Sequence, residues 1–87
     1  MSKKRIVILG STGSIGTQAL DVIERHPEEF EVETLTAFNN AELLVKQAIQ
    51  FQPNNVVIVN DKKYTLVKES LKLISTVSVY FPKKSIA

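Results

Sequence analysis

Seven residues, Gly10-Ser11-Thr12-Gly13-Ser14-Ile15-Gly16, limit what this chain can fold into more than any other stretch. They follow four consecutive apolar residues, Ile6-Val7-Ile8-Leu9. They precede a segment in which Ile15, Ala19, Val22 and Ile23 recur at i, i+4, i+7 and i+8. An apolar run followed by a helical period requires a strand that turns sharply into a helix, with the glycines at the turn. The first turn of a helix carries N–H groups with no intrahelical partner and the positive end of the peptide dipoles, so an anion is favoured there. Glycine lets the chain turn and lets a phosphate approach without meeting a Cβ. The hydroxyls of Ser11, Thr12 and Ser14 add donors suited to phosphate oxygens. A plain tight turn, with Gly13 and Gly16 serving only close packing, is the competing reading. The order strand, loop, helix favours the phosphate site. The spacing is G-x-x-G-x-x-G rather than G-x-G-x-x-G, and the absence of a following lysine argues against the phosphate loop of nucleoside triphosphatases.

The rest of the chain repeats the same alternation. The first helix spans about Ser14 to Arg25, and Pro27 ends it. Phe30 to Ala37 is a second strand, rich in β-branched residues, alternating at first and then mixed. Asn39 or Asn40 caps a second helix, with Glu42 three residues after Asn39 as in a capping box. The stripe of this helix is Leu44, Val45, Ala48 and Phe51, and Pro53 stops it. Val56 to Val59 is a third strand, apolar at both parities like the first, which suits a parallel strand covered on both faces. Asn60-Asp61 offers a cap for a third helix marked by Tyr64, Val67, Leu71 and Ile74. Val77 to Tyr80 alternates, as a strand at a sheet edge does.

The order β-α-β-α-β-α-β makes an α/β fold, a Rossmann-like parallel sheet of about four strands with right-handed crossovers. The alternation of the fourth strand favours the order 4-3-2-1, with the apolar first strand on an open edge that a missing neighbour would pair. At 87 residues the chain is shorter than a complete dinucleotide-binding fold of well over about a hundred residues, so residues 1–87 are expected to be a portion of one.

Chemistry-bearing residues gather in two places. Besides the glycine loop, the segment after the second strand is where such a fold meets the adenosine ribose. An NAD site places a carboxylate there, whereas this chain has Ala37, Phe38, Asn39 and Asn40. Without an acid NADP is tolerated, and amide donors at a helix start can hold its 2′-phosphate; plain helix capping by the same asparagines is compatible with that role. The single histidine, His26, precedes a proline at a helix end and reads as a surface residue, and no group of acids has metal-ligand spacing. The net charge of +2 is spread over Lys3-Lys4-Arg5, Lys62-Lys63 and Lys83-Lys84 without interleaved aromatics, so these are solvated faces and no nucleic acid is expected. No apolar run approaches a signal core or a membrane span, so no membrane partner is expected, and the lack of cysteine fits a cytoplasmic protein.

The stretches KRIVILGSTGSIGTQALDVIERHPEEFEVETLTA and NNAELLVKQAIQFQPNNVVI resemble the amino-terminal end of the 1-deoxy-D-xylulose 5-phosphate reductoisomerase family, closely from Arg5 to Val59 and more loosely to Ala87. The resemblance implies an NADPH- and divalent-metal-dependent oxidoreductase of isoprenoid biosynthesis, with Mg2+ or Mn2+ as the metal. Its sugar phosphate substrate rearranges and is reduced to 2-C-methyl-D-erythritol 4-phosphate. It places cofactor contacts at Thr12, Gly13, Ser14 and Ile15 and in the segment Phe38, Asn39, Asn40, within a wider candidate site that includes Gly10, Ser11 and Gly16. Family members often carry Gly-Lys-Asn where this chain has Phe38-Asn39-Asn40; Asn40 is retained, the lysine is lost, and Phe38 is free to pack on the adenine ring. The resemblance also implies a homodimer and places metal ligands, catalytic residues and the carboxy-terminal domains outside this chain, which alone is expected to be inactive. Another NADP-linked reductase, of the aspartate-semialdehyde or short-chain type, and a non-catalytic nucleotide-binding module are the alternatives; the helix-one sequence argues against the first.

Overall fold

The structure, a computed structural model, describes residues 3–74 and 76–82; the pair Lys83-Lys84 lies outside them. Four strands, β1 (Lys4–Ile8), β2 (Phe30–Ala37), β3 (Asn55–Ile58) and β4 (Ser78–Tyr80), alternate with the helices α1 (Ser14–Arg25), α2 (Ala41–Phe51) and α3 (Tyr64–Leu71). All strand pairs are parallel and the sheet order is β1-β2-β3-β4. This is the expected order, read from the other edge.

Strands laid down side by side with right-handed crossovers put every helix on one face of the sheet. Burial follows that rule. Ile8, Val32, Leu35, Ala37, Val56 and Ile58 point to the helices and are buried with Leu20 and Ile23 of α1, Leu44 and Ala48 of α2, and Val67 and Leu71 of α3. The opposite face, with Val7, Thr34, Thr36, Val57 and Tyr80, is half-buried or exposed, and Val7 is 54% accessible. The expectation that β1 is covered on both faces is therefore met on one face only among the described residues. Apolar residues at both parities record what a strand can bury, and here the sheet has helices on a single side.

Two sequence patterns acquire a physical explanation. The second strand stops alternating because a bulge sits opposite β1: Ile6 pairs with Val32 but Val7 pairs with Thr34, so Glu33 is the extra residue. That shift is why Val32 and Leu35, three apart, both face the core. Of the expected α1 stripe, Ile23 is buried and Ala19 packs against the core, whereas Ile15 and Val22 point outward and Gly16 and Leu20 complete the buried face. Hydropathy alone favoured the isoleucine and valine; the fold needs a residue without a side chain where the helix meets the loop. Helix α3 begins one turn later than its sequence cap implies, because Asn60 caps a short 3-10 turn, Asp61–Lys63, that precedes it. No helix among the described residues is long and apolar enough to cross a membrane.

Candidate functional site

The parallel strands bring three loops to the carboxyl edge of the sheet: residues 9–13 after β1, 38–40 after β2 and 59–63 after β3. The glycines of the first loop do different work. Gly10 has φ +74°, a left-handed conformation that only glycine adopts without strain. A Cβ on Gly16 would lie 2.2 Å from the Gly10 carbonyl oxygen, so the helix can rest on the loop only because residue 16 has none. Gly13 is extended, at φ −82° and ψ 175°, and a Cβ there would meet only the Gly10 oxygen at an ordinary 3.5 Å. Neither backbone nor packing requires a glycine at this exposed position, and the lack of a side chain leaves the start of α1 open.

Helix α1 has Gly13 as its N-cap and no side-chain cap, so its leading N–H groups are not taken up by a neighbouring hydroxyl or amide. Thr12 is half-buried, and Ser14 and Ile15 are exposed, with Ile15 at 84%. Ser11 is different. It is fully buried, its N–H donates to Thr36 O at 2.7 Å, and its hydroxyl has no partner among the described residues. The Gly13 N–H donates to Gly10 O at 3.1 Å, so the open donors of the loop are those of Thr12, Ser14 and Ile15, while Ser11 belongs to the packing beneath it.

That packing is built by two residues with no obvious signature in the sequence. Thr36 Oγ1 accepts the Gly10 N–H at 2.9 Å and donates to Ile8 O at 3.3 Å, which fastens the turn to β2. Gln47 is buried on α2, and its Nε2 donates to Ser11 O at 2.8 Å, which fastens the same loop to the second helix. A polar residue on the line of Leu44, Ala48 and Phe51 was the available signal for Gln47; Thr36 read only as a β-branched strand residue.

After β2, Asn40 is the N-cap of α2, its Oδ1 accepting the Leu43 N–H at 3.1 Å. The capping box from Asn39 to Glu42 is not formed, because Asn39 turns its Oδ1 to Asn60 Nδ2 at 2.6 Å. Phe38 is 66% exposed at the tip of the same segment. The two candidate groups thus lie along one edge of the sheet and are joined through Thr36 and Gln47. His26 is exposed at the end of α1, away from that edge, 4.0 Å from Glu29. No three His, Asp or Glu side chains come together in a metal-holding group among the described residues. A concavity of about 480 Å³ lies at the opposite end, among Ile23, Pro27, Phe30 and Phe51, and shares no residue with the loops.

A parallel sheet with an open glycine loop at the first strand-to-helix turn and a capped helix beside it is the arrangement of a Rossmann-like α/β unit. The family model for 1-deoxy-D-xylulose 5-phosphate reductoisomerase matches residues 6–87, so the chain belongs to that family. A reductoisomerase of Bacteroides fragilis is 61% identical over 71 residues, covering 82% of this chain and 18% of the relative. One from a Thermoanaerobacter species is 52% identical over 69 residues, covering 79% of the chain and again 18% of the relative. Among solved structures, the Zymomonas mobilis reductoisomerase in complex with NADPH superposes with a TM-score of 0.85 at 34% identity, covering 92% of this chain and 21% of that one. A reductoisomerase bound to NADPH, fosmidomycin and magnesium gives 0.83 at 26% identity, over 92% of this chain and 20% of that one. The chain therefore spans about a fifth of the length of these relatives.

Two substitutions separate the supports of the loop. Gly16→Ala should destabilise the fold by about 2–3 kcal/mol, because the added carbon meets backbone that cannot step aside. Thr36→Val keeps the shape but removes the side-chain bonds to the Gly10 N–H and Ile8 O, and should cost about 0.5–1.5 kcal/mol. Chemical denaturation reads both.

Proposed function

We propose that this chain is the amino-terminal portion of the NADPH-binding domain of a 1-deoxy-D-xylulose 5-phosphate reductoisomerase. The observation that carries the reading is Gly13: the fold does not need a glycine there, and a bound pyrophosphate would. Residues Thr12, Gly13, Ser14 and Ile15 would face the pyrophosphate from the N-terminus of α1, and Phe38, Asn39 and Asn40 would face the adenosine end. Gly10, Gly16 and Ser11 shape the loop from behind. The relatives solved with NADPH support the choice of cofactor.

When bound, NADPH supplies the hydride for reduction of a rearranged sugar phosphate to 2-C-methyl-D-erythritol 4-phosphate. The chain's own part is to hold and orient that cofactor. The relatives crystallised with magnesium support a divalent-metal requirement for the whole enzyme, but the described residues offer no acidic cluster to meet it, so we assign no metal step to them. The chain by itself is accordingly read as catalytically inactive. The family resemblance supports a cytoplasmic homodimer as the setting, with the sugar phosphate as small-molecule substrate.

A chimera tests this directly. Replacing the aligned segment of the Bacteroides fragilis enzyme by the matched 71 residues of this chain should preserve NADPH-dependent turnover. In that background Gly13→Ala should raise the NADPH KM by about tenfold or more while leaving the melting temperature nearly unchanged, the opposite of Gly16→Ala. An unchanged NADPH KM in Gly13→Ala would sink the pyrophosphate reading. Phe38→Ala should weaken NADPH binding by about two- to tenfold if its ring packs on adenine, the range expected of one aromatic contact; fluorescence titration measures it, and unaltered affinity would remove stacking from the proposal.

A further inference from the structure

One side chain bridges the loop after β3 to the loop after β2. Asn60 uses both ends of its amide. Its Oδ1 accepts the Lys62 N–H at 3.1 Å, closing the 3-10 turn, and its Nδ2 donates to Asn39 Oδ1 at 2.6 Å. These ends cannot be exchanged. A backbone N–H can only donate, so Lys62 dictates which end of Asn60 it meets, and the NH2 end is left for Asn39. A donor in turn demands an acceptor. Asn39 is therefore held with its carbonyl oxygen toward Asn60 and its own NH2 turned elsewhere. The main chain keeps the two loops in step, with Val59 N–H on Ala37 O and Asn60 N–H on Phe38 O, both at 2.9 Å.

The same logic applies to Asn40. The Leu43 N–H claims its Oδ1 and so leaves its NH2 free to face outward. Asn40 is oriented by its own helix, but Asn39 has no such internal reference. The segment Phe38-Asn39-Asn40 carries no cation, so its preference for a phosphate depends on which end of each amide is presented. An amide turned over would offer a carbonyl oxygen to a dianion.

We propose that Asn60 is a positioning residue for cofactor selectivity: by taking the Asn39 oxygen, it presents the Asn39 amide donors to the 2′-phosphate of NADPH. This rests on the reading of the segment after β2 as the adenosine-phosphate side of the cofactor site. Asn60 itself does not touch the cofactor; it acts through Asn39.

The experiment uses the whole chimeric enzyme, with KM measured for NADPH and for NADH. Asn60→Ser retains an acceptor for the Lys62 N–H but is too short to reach Asn39. It should raise the NADPH KM by about threefold to tenfold, the range of one neutral hydrogen bond, with the NADH KM unchanged. Asn39→Ala should give a similar loss, and the double variant should be no worse than Asn39→Ala alone. Should Asn60→Ser fail to fold, Asn60→Asp serves instead: it keeps the turn, removes the donor, and should raise the ratio of NADPH KM to NADH KM by a factor that shrinks when Asn39 is already alanine. A raised NADPH-to-NADH KM ratio with Asn39→Ala but not with the Asn60 variants would overturn the positioning role. If Asn39→Ala and Asn40→Ala both leave the NADPH KM unaltered, the segment is not the phosphate side, and the proposal falls with that reading rather than by itself. Equal loss for NADPH and NADH would mark Asn60 as merely structural and also overturn it.

Discussion

The contact on which this structure turns is the approach of α1 to the carbonyl oxygen of Gly10. With a Cβ at residue 16 that approach would be blocked at 2.2 Å, so the helix can start where it does only because the chain omits one. Everything at the carboxyl edge is referred to that point. The helix axis is set against the end of β1, its leading N–H groups are carried clear of the sheet, and Gly13 is left uncovered in front of them. Thr36 and Gln47 then hold the turn from β2 and from α2, so two neighbouring elements report on the position of one loop. A site braced from three directions loses little freedom when a ligand arrives, which is how rigid loops gain affinity.

On the proposed reading, recognition on the adenosine side would work with dipoles instead of charge. A lysine would attract a phosphate from any of many rotamers; a neutral amide must be aimed. Two adjacent asparagines are aimed here by two separate backbone donors, one directly and one through Asn60. In the proposed site, an asparagine in place of the lysine that family members often carry would change the kind of interaction, from a mobile point charge to a fixed donor array.

Much of this was legible before any coordinates. The limits of α1 and β2 coincide with the Ser14-to-Arg25 and Phe30-to-Ala37 readings because proline and β-branched residues punctuate the chain clearly. The strand order follows from the different patterning of the third and fourth strands. What escaped were relations across the chain. Glu33 is an ordinary strand residue until β1 lies beside it and makes it a bulge. Gln47 is a misplaced polar residue until Ser11 supplies its acceptor. Asn39 read as half of a capping box because its local spacing to Glu42 allowed one, and its true partner lies 21 residues away. Local rules place residues on elements; they do not say which polar ends will meet when elements pack.

The simple strand order has a consequence for how the chain comes together. Each strand is added beside the one made just before it, so no strand must be inserted between two already paired. Every β-α-β unit closes over a loop short enough that its entropy cost is modest, and the sheet can grow in the direction of synthesis. The outer edge of β1 is uncovered among the described residues. The elements that frame the Gly10–Gly16 loop, β1, β2, α1 and α2, all precede β3 and β4 in the chain, so the loop's supports are complete in sequence before the second half of the sheet is reached.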